Sequence, residues 1–382
     1  MRVMIIAGEP SGDMHAAALM RALQAKLDSK VEFRGIGGDL MKAAGAELLY
    51  HTDQTAVIGL WDVLRHLGFF KSMLRQMERE LKQWKPDVLL TVDYPGFNLR
   101  LAAKAHKLGI KTIHYICPQI WAWHRSRVSK IARILDGLIT LFHFEPECFA
   151  ATDLKVFFAG HPLVDRAHEN LMIPEQPLPW GKARFRIALL PGSRQGEITR
   201  ILPTMLAAGN KLECSLAEKC IFMIPAASPA MRQIIEKMLA STNDRPKRVV
   251  VVDGQAREVM RQSHVATIAS GTATLEASLM RCPTILVYRV PWLTYVLAKR
   301  LITGVKYLGL ANIIADREVM PELLQYDFTP DNLADNLRAL LTDENRRTTM
   351  LNDFAEVNAA LGERGASERA ADAFVEILKV SR

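Results

Sequence analysis

The sequence predicts an α/β protein made of two doubly wound domains, each around a mainly parallel sheet. Three observations predict it. Short runs rich in β-branched and aliphatic residues alternate with longer stretches of helical periodicity, which is the rhythm of βαβ units. That rhythm pauses at a stretch carrying Pro162, Pro174, Pro177 and Pro179 and then restarts. A chain of 382 residues, 49% hydrophobic and 24% charged, is also too long for one ordinary core.

In the first half the predicted strands are residues 3–7, 31–36, 88–92, 112–116, 138–142 and 156–159. The apolar run at 3–7 is too short for a signal peptide and leads straight into polar residues, so it reads as a first buried strand. Residues 60–84 predict an amphipathic helix. Leu60, Val63, Leu64, Leu67, Phe70, Leu74, Met77 and Leu81 form one stripe, Phe69 and Met73 widen it, and Arg65, Lys71, Arg75, Arg79 and Lys82 surround it. Such a helix either packs on its own sheet or lies in a membrane interface. The domains join near residues 161–184, and the second set of strands is 187–190, 220–224, 249–252, 265–268 and 284–288. From about Asp331 onward the pattern is helical with no strand, and residues 355–380 carry apolar side chains at helical spacing.

Composition removes several classes of protein. No apolar run approaches the roughly 18 residues a membrane-spanning helix needs. The five cysteines are odd in number, scattered, and lack any Cys-x-x-Cys pair, which argues against disulfides and structural zinc and fits a reduced cytosol. A net charge of +8 favours an acidic partner: a phosphate ligand, nucleic acid or an anionic lipid surface.

Open parallel sheets bind ligands beyond the carboxyl ends of their strands, and two such sheets facing one another predict an interdomain cleft. The polar segments that follow strands are therefore the candidates. Residues 265–268 lead into Ser270, Gly271, Thr272 and Ala273 and then a helical pattern. Small residues there let a ligand approach the backbone, and the dipole of a helix start favours a phosphate by about 0.3–1 kcal/mol. Glu276 lies one turn, ~6 Å, beyond Thr272. It would repel a phosphate but accept hydrogen bonds from ribose hydroxyls, so the pair suits a nucleoside diphosphate. An ordinary helix capped by Thr272 is the other reading. Gly192, Ser193 and Arg194 supply a second such turn, and a guanidinium can fork onto two phosphate oxygens. Asp93 ends a buried strand ahead of a proline turn. There it is either a turn cap or a partly desolvated general base.

Missing signatures narrow the chemistry. The first glycine turn, Gly8-Glu9-Pro10-Ser11-Gly12-Asp13, matches neither the dinucleotide fingerprint nor a P-loop. No Gly-x-Ser-x-Gly elbow occurs, no histidines have metal-type spacing, and no Asp-x-Asp is present to hold a metal on a diphosphate. The sequence thus predicts no metal and no cofactor, leaving Arg194 and helix starts to meet leaving-group charge.

Taken together, these segments resemble the lipid-A-disaccharide synthase family. The matching motifs span nearly the whole chain: 8–13; Asp93-Tyr94-Pro95-Gly96-Phe97-Asn98; His114-Tyr115 through Pro118 to Trp121-Ala122-Trp123; Gly160-His161-Pro162; Leu189 to Arg194; Ser270 to Glu276; and Asn312 through Pro321-Glu322-Leu323-Leu324-Gln325. The resemblance implies two facing Rossmann-like domains of the GT-B type. Residues 1–168 would form an acceptor and lipid-side domain, completed by C-terminal helices 350–382 of the same chain or a partner. Residues 169–349 would form the UDP-sugar domain. It further implies transfer of 2,3-diacylglucosamine from UDP to 2,3-diacylglucosamine 1-phosphate, with inversion, giving a β-1′,6-linked disaccharide and UDP.

In that scheme Asp93 is the catalytic base, Arg194 with residues 192–193 and 270–273 holds the diphosphate, and Glu276 meets ribose. Glu9, Ser11 and Asn312 belong to the active site. Phe69, Phe70 and Met73 touch the anionic inner leaflet, and the protein is cytoplasmic, peripheral on the inner membrane, with a homodimer among its allowed assemblies and no nucleic-acid partner. Two positions depart from the family pattern: Gly96, where a second aspartate is frequent, and Asp316, where glycine is usual. The competing readings are a UDP-sugar 2-epimerase with the same domain plan and an RNA-binding module that stacks bases on Trp121, Trp123 and Trp180.

Overall fold

The computed structural model describes residues 1–27, 30–55, 67–122, 125–216, 220–292, 294–296, 304 and 306–379. The chain divides into two compact units, residues 1–162 with 361–382, and residues 163–360.

The first unit runs β1 (Arg2–Ala7), α1 (Pro10–Lys26), β2 (Glu32–Gly37), α2 (Asp39–Ala43), β3 (Ala46–His51), α3 (Thr52–Thr55), α4 (Leu67–Trp84), β4 (Val88–Val92), α5 (Pro95–Lys107), β5 (Lys111–Tyr115), α6 (Val128–Ala132), β6 (Gly137–Thr140) and β7 (Lys155–Phe158). Its strands form one parallel sheet in the order β3-β2-β1-β4-β5-β6-β7. The central strands are apolar along their whole length because helices cover both faces of a parallel sheet. Val3 through Ala7 in β1 and every residue of β4 are buried.

The second unit runs α7 (Leu163–Met172), β8 (Phe185–Leu190), α8 (Gln195–Leu216), β9 (Cys220–Ala226), α9 (Pro229–Ser241), β10 (Val249–Asp253), α10 (Ala256–Gln262), β11 (Val265–Ala269), α11 (Ala273–Leu279), β12 (Thr284–Tyr288), α12 (Leu310–Ala315), β13 (Glu322–Leu324), α13 (Pro330–Thr342) and α14 (Glu344–Ala360). Its parallel sheet repeats the same winding, β10-β9-β8-β11-β12-β13. Both sheets therefore reverse direction once, at β1/β4 and at β8/β11. These are the topological switch points at which such folds bind ligands.

The last helix, α15 (Ala366–Lys379), packs on the first unit. Lys111 Nζ donates to the terminal carbonyls of Ile377 (3.1 Å) and Leu378 (3.2 Å), and Lys26 pairs with Asp372. The preceding α14 stays with the second unit, where Met350, Phe354 and Val357 are buried. Gly362 and Gly365, with φ of 88° and 86°, break the helical run between them, which non-glycine residues do only at a cost.

Helix α4 answers the question its pattern left open. Met73, Met77 and Leu81 lie in the core of the first unit, and Phe69, Phe70 and Leu74 are half-buried against it. Met73 is 0% exposed, so its expected membrane contact is corrected: the apolar stripe is drawn to its own sheet, the larger apolar surface within reach. Lys71, Arg75, Arg79 and Lys82 are exposed. Leu60, Val63, Leu64 and Arg65 lie outside the described residues.

Candidate active site

At the first switch point the turn after β1 meets the turn after β4. Glu9 and Ser11 are both exposed there, Glu9 as the residue ahead of α1 and Ser11 in its first turn. Asp13 of the same motif faces inward instead. Its carboxylate accepts N–H bonds from Gly38 (2.7 Å), Leu40 (3.1 Å) and Met41 (3.0 Å), which caps α2. A Cβ on Gly8 would sit 2.4 Å from the Tyr94 ring, so glycine permits the two turns to touch.

Asp93 is held in an unusual backbone. Asp93 and Tyr94 both have φ near +49°, a left-handed conformation that costs a non-glycine residue on the order of 1–3 kcal/mol. Asn98, fully buried, offsets it: its Nδ2 donates to the Asp93 carbonyl at 2.6 Å and to that of Val92 at 3.2 Å. Asp93 N–H donates to Tyr115 O at 2.9 Å. Burial raises the Asp93 pKa, and a hydrogen bond from the Tyr94 backbone partly opposes this. Tyr94 is pushed up to about 12 by burial and by the negative charge of Glu9, so its hydroxyl stays protonated beside these carboxylates.

At the second switch point the turns after β8 and β11 enclose a cavity of about 340 Å³. Gly192, Ser193, Arg194, Ser270, Gly271, Thr272 and Ala273 all line it, and Gly254, Ala256 and Glu197 are also part of the wall. The alternative reading of Thr272 as a cap does not hold. Its φ and ψ are already helical and its side chain makes no capping bond, while Thr274 hydroxyl donates to Gly271 O at 2.8 Å. The Thr272 side chain is left exposed at the cavity.

Glu197 was not anticipated as part of this wall. It accepts from Ser193 N–H (3.2 Å) and Arg194 N–H (3.3 Å), the return half of a capping box at the start of α8, and approaches Arg194 Nη1 at 3.5 Å. Gly192, at φ 111°, leaves room for that carboxylate, since a Cβ would lie 2.4 Å from Oε2. Arg194 itself is 72% exposed and free to reach a ligand. Its signal in the sequence was a glutamate three residues past the arginine at a helix start. Glu276, one turn beyond Thr272, is not among the residues lining the cavity and is ion-paired with Arg257 at 2.9 Å.

Asn312 departs from expectation. It is 0% exposed, and its amide is saturated: Nδ2 donates to Met320 O (2.9 Å) and Glu322 Oε1 (2.8 Å), and Oδ1 accepts from Val319 and Met320 N–H at 2.8 and 3.0 Å. An amide with every donor and acceptor engaged has nothing to offer a ligand, so its active-site placement is corrected to a tie between α12 and β13. Glu322 continues the tie by accepting from Leu308 and Gly309 N–H at the start of α12. Trp121 and Trp180 are buried, with Nε1 bonded to Glu145 (3.2 Å) and Gln262 (3.0 Å), so neither is a stacking platform. Trp123 lies outside the described residues.

The family described as lipid-A-disaccharide synthetase matches residues 3–377. The chain belongs to this family. Lipid-A-disaccharide synthases from Anaeromyxobacter dehalogenans and Azotobacter vinelandii are each 38% identical to it, covering 100% and 99% of this chain and 98% of each relative. Among solved structures, UDP-GlcNAc 2-epimerase from Neisseria meningitidis bound to UDP-GlcNAc is similar at TM-score 0.64 and 14% identity, covering 98% of this chain and 100% of that one. CalG4, the calicheamicin glycosyltransferase, is similar at TM-score 0.61 and 15% identity, covering 100% and 99%. These likenesses establish the fold, two Rossmann-like units of the GT-B type. Lipid-A-disaccharide synthetase membership makes the chain a glycosyltransferase of lipid A biosynthesis.

Proposed function

We propose that the protein transfers 2,3-diacylglucosamine from UDP to the 6-hydroxyl of 2,3-diacylglucosamine 1-phosphate. The acceptor oxygen attacks C1 of the donor from the face opposite UDP, the C1–O bond to the diphosphate breaks, and Asp93 takes the hydroxyl proton. The product is the β-1′,6-linked disaccharide 1-phosphate with inverted C1, and UDP. The observation that carries this reading is the cavity at the second switch point, where two separate glycine turns and the exposed Arg194 guanidinium converge. A guanidinium and open backbone suit a diphosphate, and the charge that develops on the leaving group is met by Arg194. Raised proton affinity at Asp93 supports its role as base, because a stronger base accepts the proton more readily.

Acyl chains have to be drawn from a bilayer, and the acceptor carries a phosphate. A peripheral position on the anionic inner leaflet follows, with the exposed lysines and arginines of α4 as the basic face and Phe69 and Phe70 beside them.

The test is incubation with UDP-diacylglucosamine and the lipid acceptor, with and without chelator. Disaccharide formation unaffected by chelator is expected, with a loss of about 10²–10⁴-fold in Asp93→Asn. Donor inverted at C2 and no joined sugar would identify an epimerase instead. Full activity in Asp93→Asn would remove the base role alone.

A further inference from the structure

One arginine pairs with Glu276 a turn beyond the cavity-lining residues of α11. Arg257 directly follows Ala256, which lines the cavity from α10, and Glu276 stands one turn past Thr272 and Ala273, which line it from α11. Arg257 Nε donates to Glu276 Oε1 at 2.9 Å, and the two side chains retain only 27% and 19% of their exposure. Arg166 of α7 lies within the field of both; burial and the nearby Arg257 charge lower its pKa. Among the described residues, Glu276 Oε2 and the two Nη groups of Arg257 have no further hydrogen-bond partner.

A lone glutamate in this place would swing among rotamers and repel an incoming diphosphate. With Oε1 fixed by a guanidinium and its charge offset, Oε2 becomes an acceptor of set position beside the phosphate turns. A nucleoside diphosphate whose phosphates occupy those turns brings its ribose hydroxyls, which are donors, to the cavity edge. We propose that Arg257 is a positioning residue that holds Glu276 to accept a hydrogen bond from a ribose hydroxyl of UDP, giving this site its preference for ribo- over deoxyribonucleotides. The inference rests on the UDP reading of the cavity.

The experiment is calorimetric titration of the full-length protein with UDP, 2′-deoxy-UDP and 3′-deoxy-UDP. Removing the hydroxyl leaves a charged acceptor unpaired, so wild type should bind UDP at least about tenfold more tightly than one of the deoxy analogues. In Arg257→Met and in Glu276→Gln that ratio should fall toward one. Arg257→Lys should retain part of it, because an ammonium pairs with a carboxylate without the fork that orients it. Melting temperatures separate loss of fold from loss of selectivity. If Arg257→Met weakens UDP and both deoxy analogues equally and keeps the wild-type ratio, Arg257 acts on phosphate or on stability alone and the proposal is overturned. A wild-type ratio of one overturns it too, leaving the nucleotide site intact. Absence of UDP binding by wild type would instead remove the UDP reading itself.

Discussion

Asp93 sits where ionisation opposes folding. Its folded pKa is raised by burial, so the native state holds its proton more tightly than the unfolded chain does. The sign follows: this group's contribution to stability is greatest below the ordinary aspartate range and is lost as pH rises through the raised value. Above that raised value the ionised carboxylate is a net cost to the fold. Asp93→Asn should raise the melting temperature at pH 7, by about 2–4 °C for each kcal/mol recovered, and the difference from wild type should shrink as pH is lowered through the carboxylate range. A lower melting point for Asp93→Asn at pH 7, measured by scanning calorimetry, would contradict this. At this scale the sequence identified which residues end strands, and so it singled out Asp93 after β4 and seven residues, in the turns after β8 and β11, that line one cavity. It did not say which way a polar side chain faces. Asn312 and Asp13 point inward to backbone N–H groups that only the folded chain brings near them, and Asn98 acts on Asp93 through a carbonyl bond invisible to spacing.

Among the elements, α4 shows why amphipathicity alone does not separate a core helix from an interfacial one. Both need one apolar and one polar face, and the choice depends on whether a sheet waits beneath. Met73 is enclosed by its own sheet, so Met73→Ser should destabilise the first unit by about 2–5 kcal/mol, the range for emptying a buried methionine site, before any effect on lipid binding can be read. Phe69→Ser with Phe70→Ser, both half-buried, should lower binding to anionic vesicles while the melting point falls less than in Met73→Ser. Vesicle binding unchanged in that double variant, measured by sedimentation, would remove the two phenylalanines from the proposed membrane contact. The strands β3 and β13 escaped the sequence reading for a related reason. Each is an edge strand, half-exposed over most of its length, and neither carries the continuous apolar run that marked the buried strands.

In the molecule as a whole, the chain crosses between its units at Pro162/Leu163 and again at Ala360/Leu361. The second crossing means that residues far apart in sequence complete one fold. Gly137 begins β6, and a Cβ there would lie 2.3 Å from Ile377 of α15, some 240 positions later. Glycine at 137 is therefore what lets the last helix close on the sheet. Gly137→Ala should push Ile377 off its site and cost about 1–3 kcal/mol by overpacking, seen as a lower melting transition and faster proteolysis after residue 360. The proposed UDP cradle lies entirely within the second unit, so UDP should protect that unit in the variant as it does in wild type. An unchanged melting profile in Gly137→Ala would show that α15 is held by its polar ties, Lys111 to the carbonyls of Ile377 and Leu378 and Lys26 to Asp372, rather than by the packing that glycine permits.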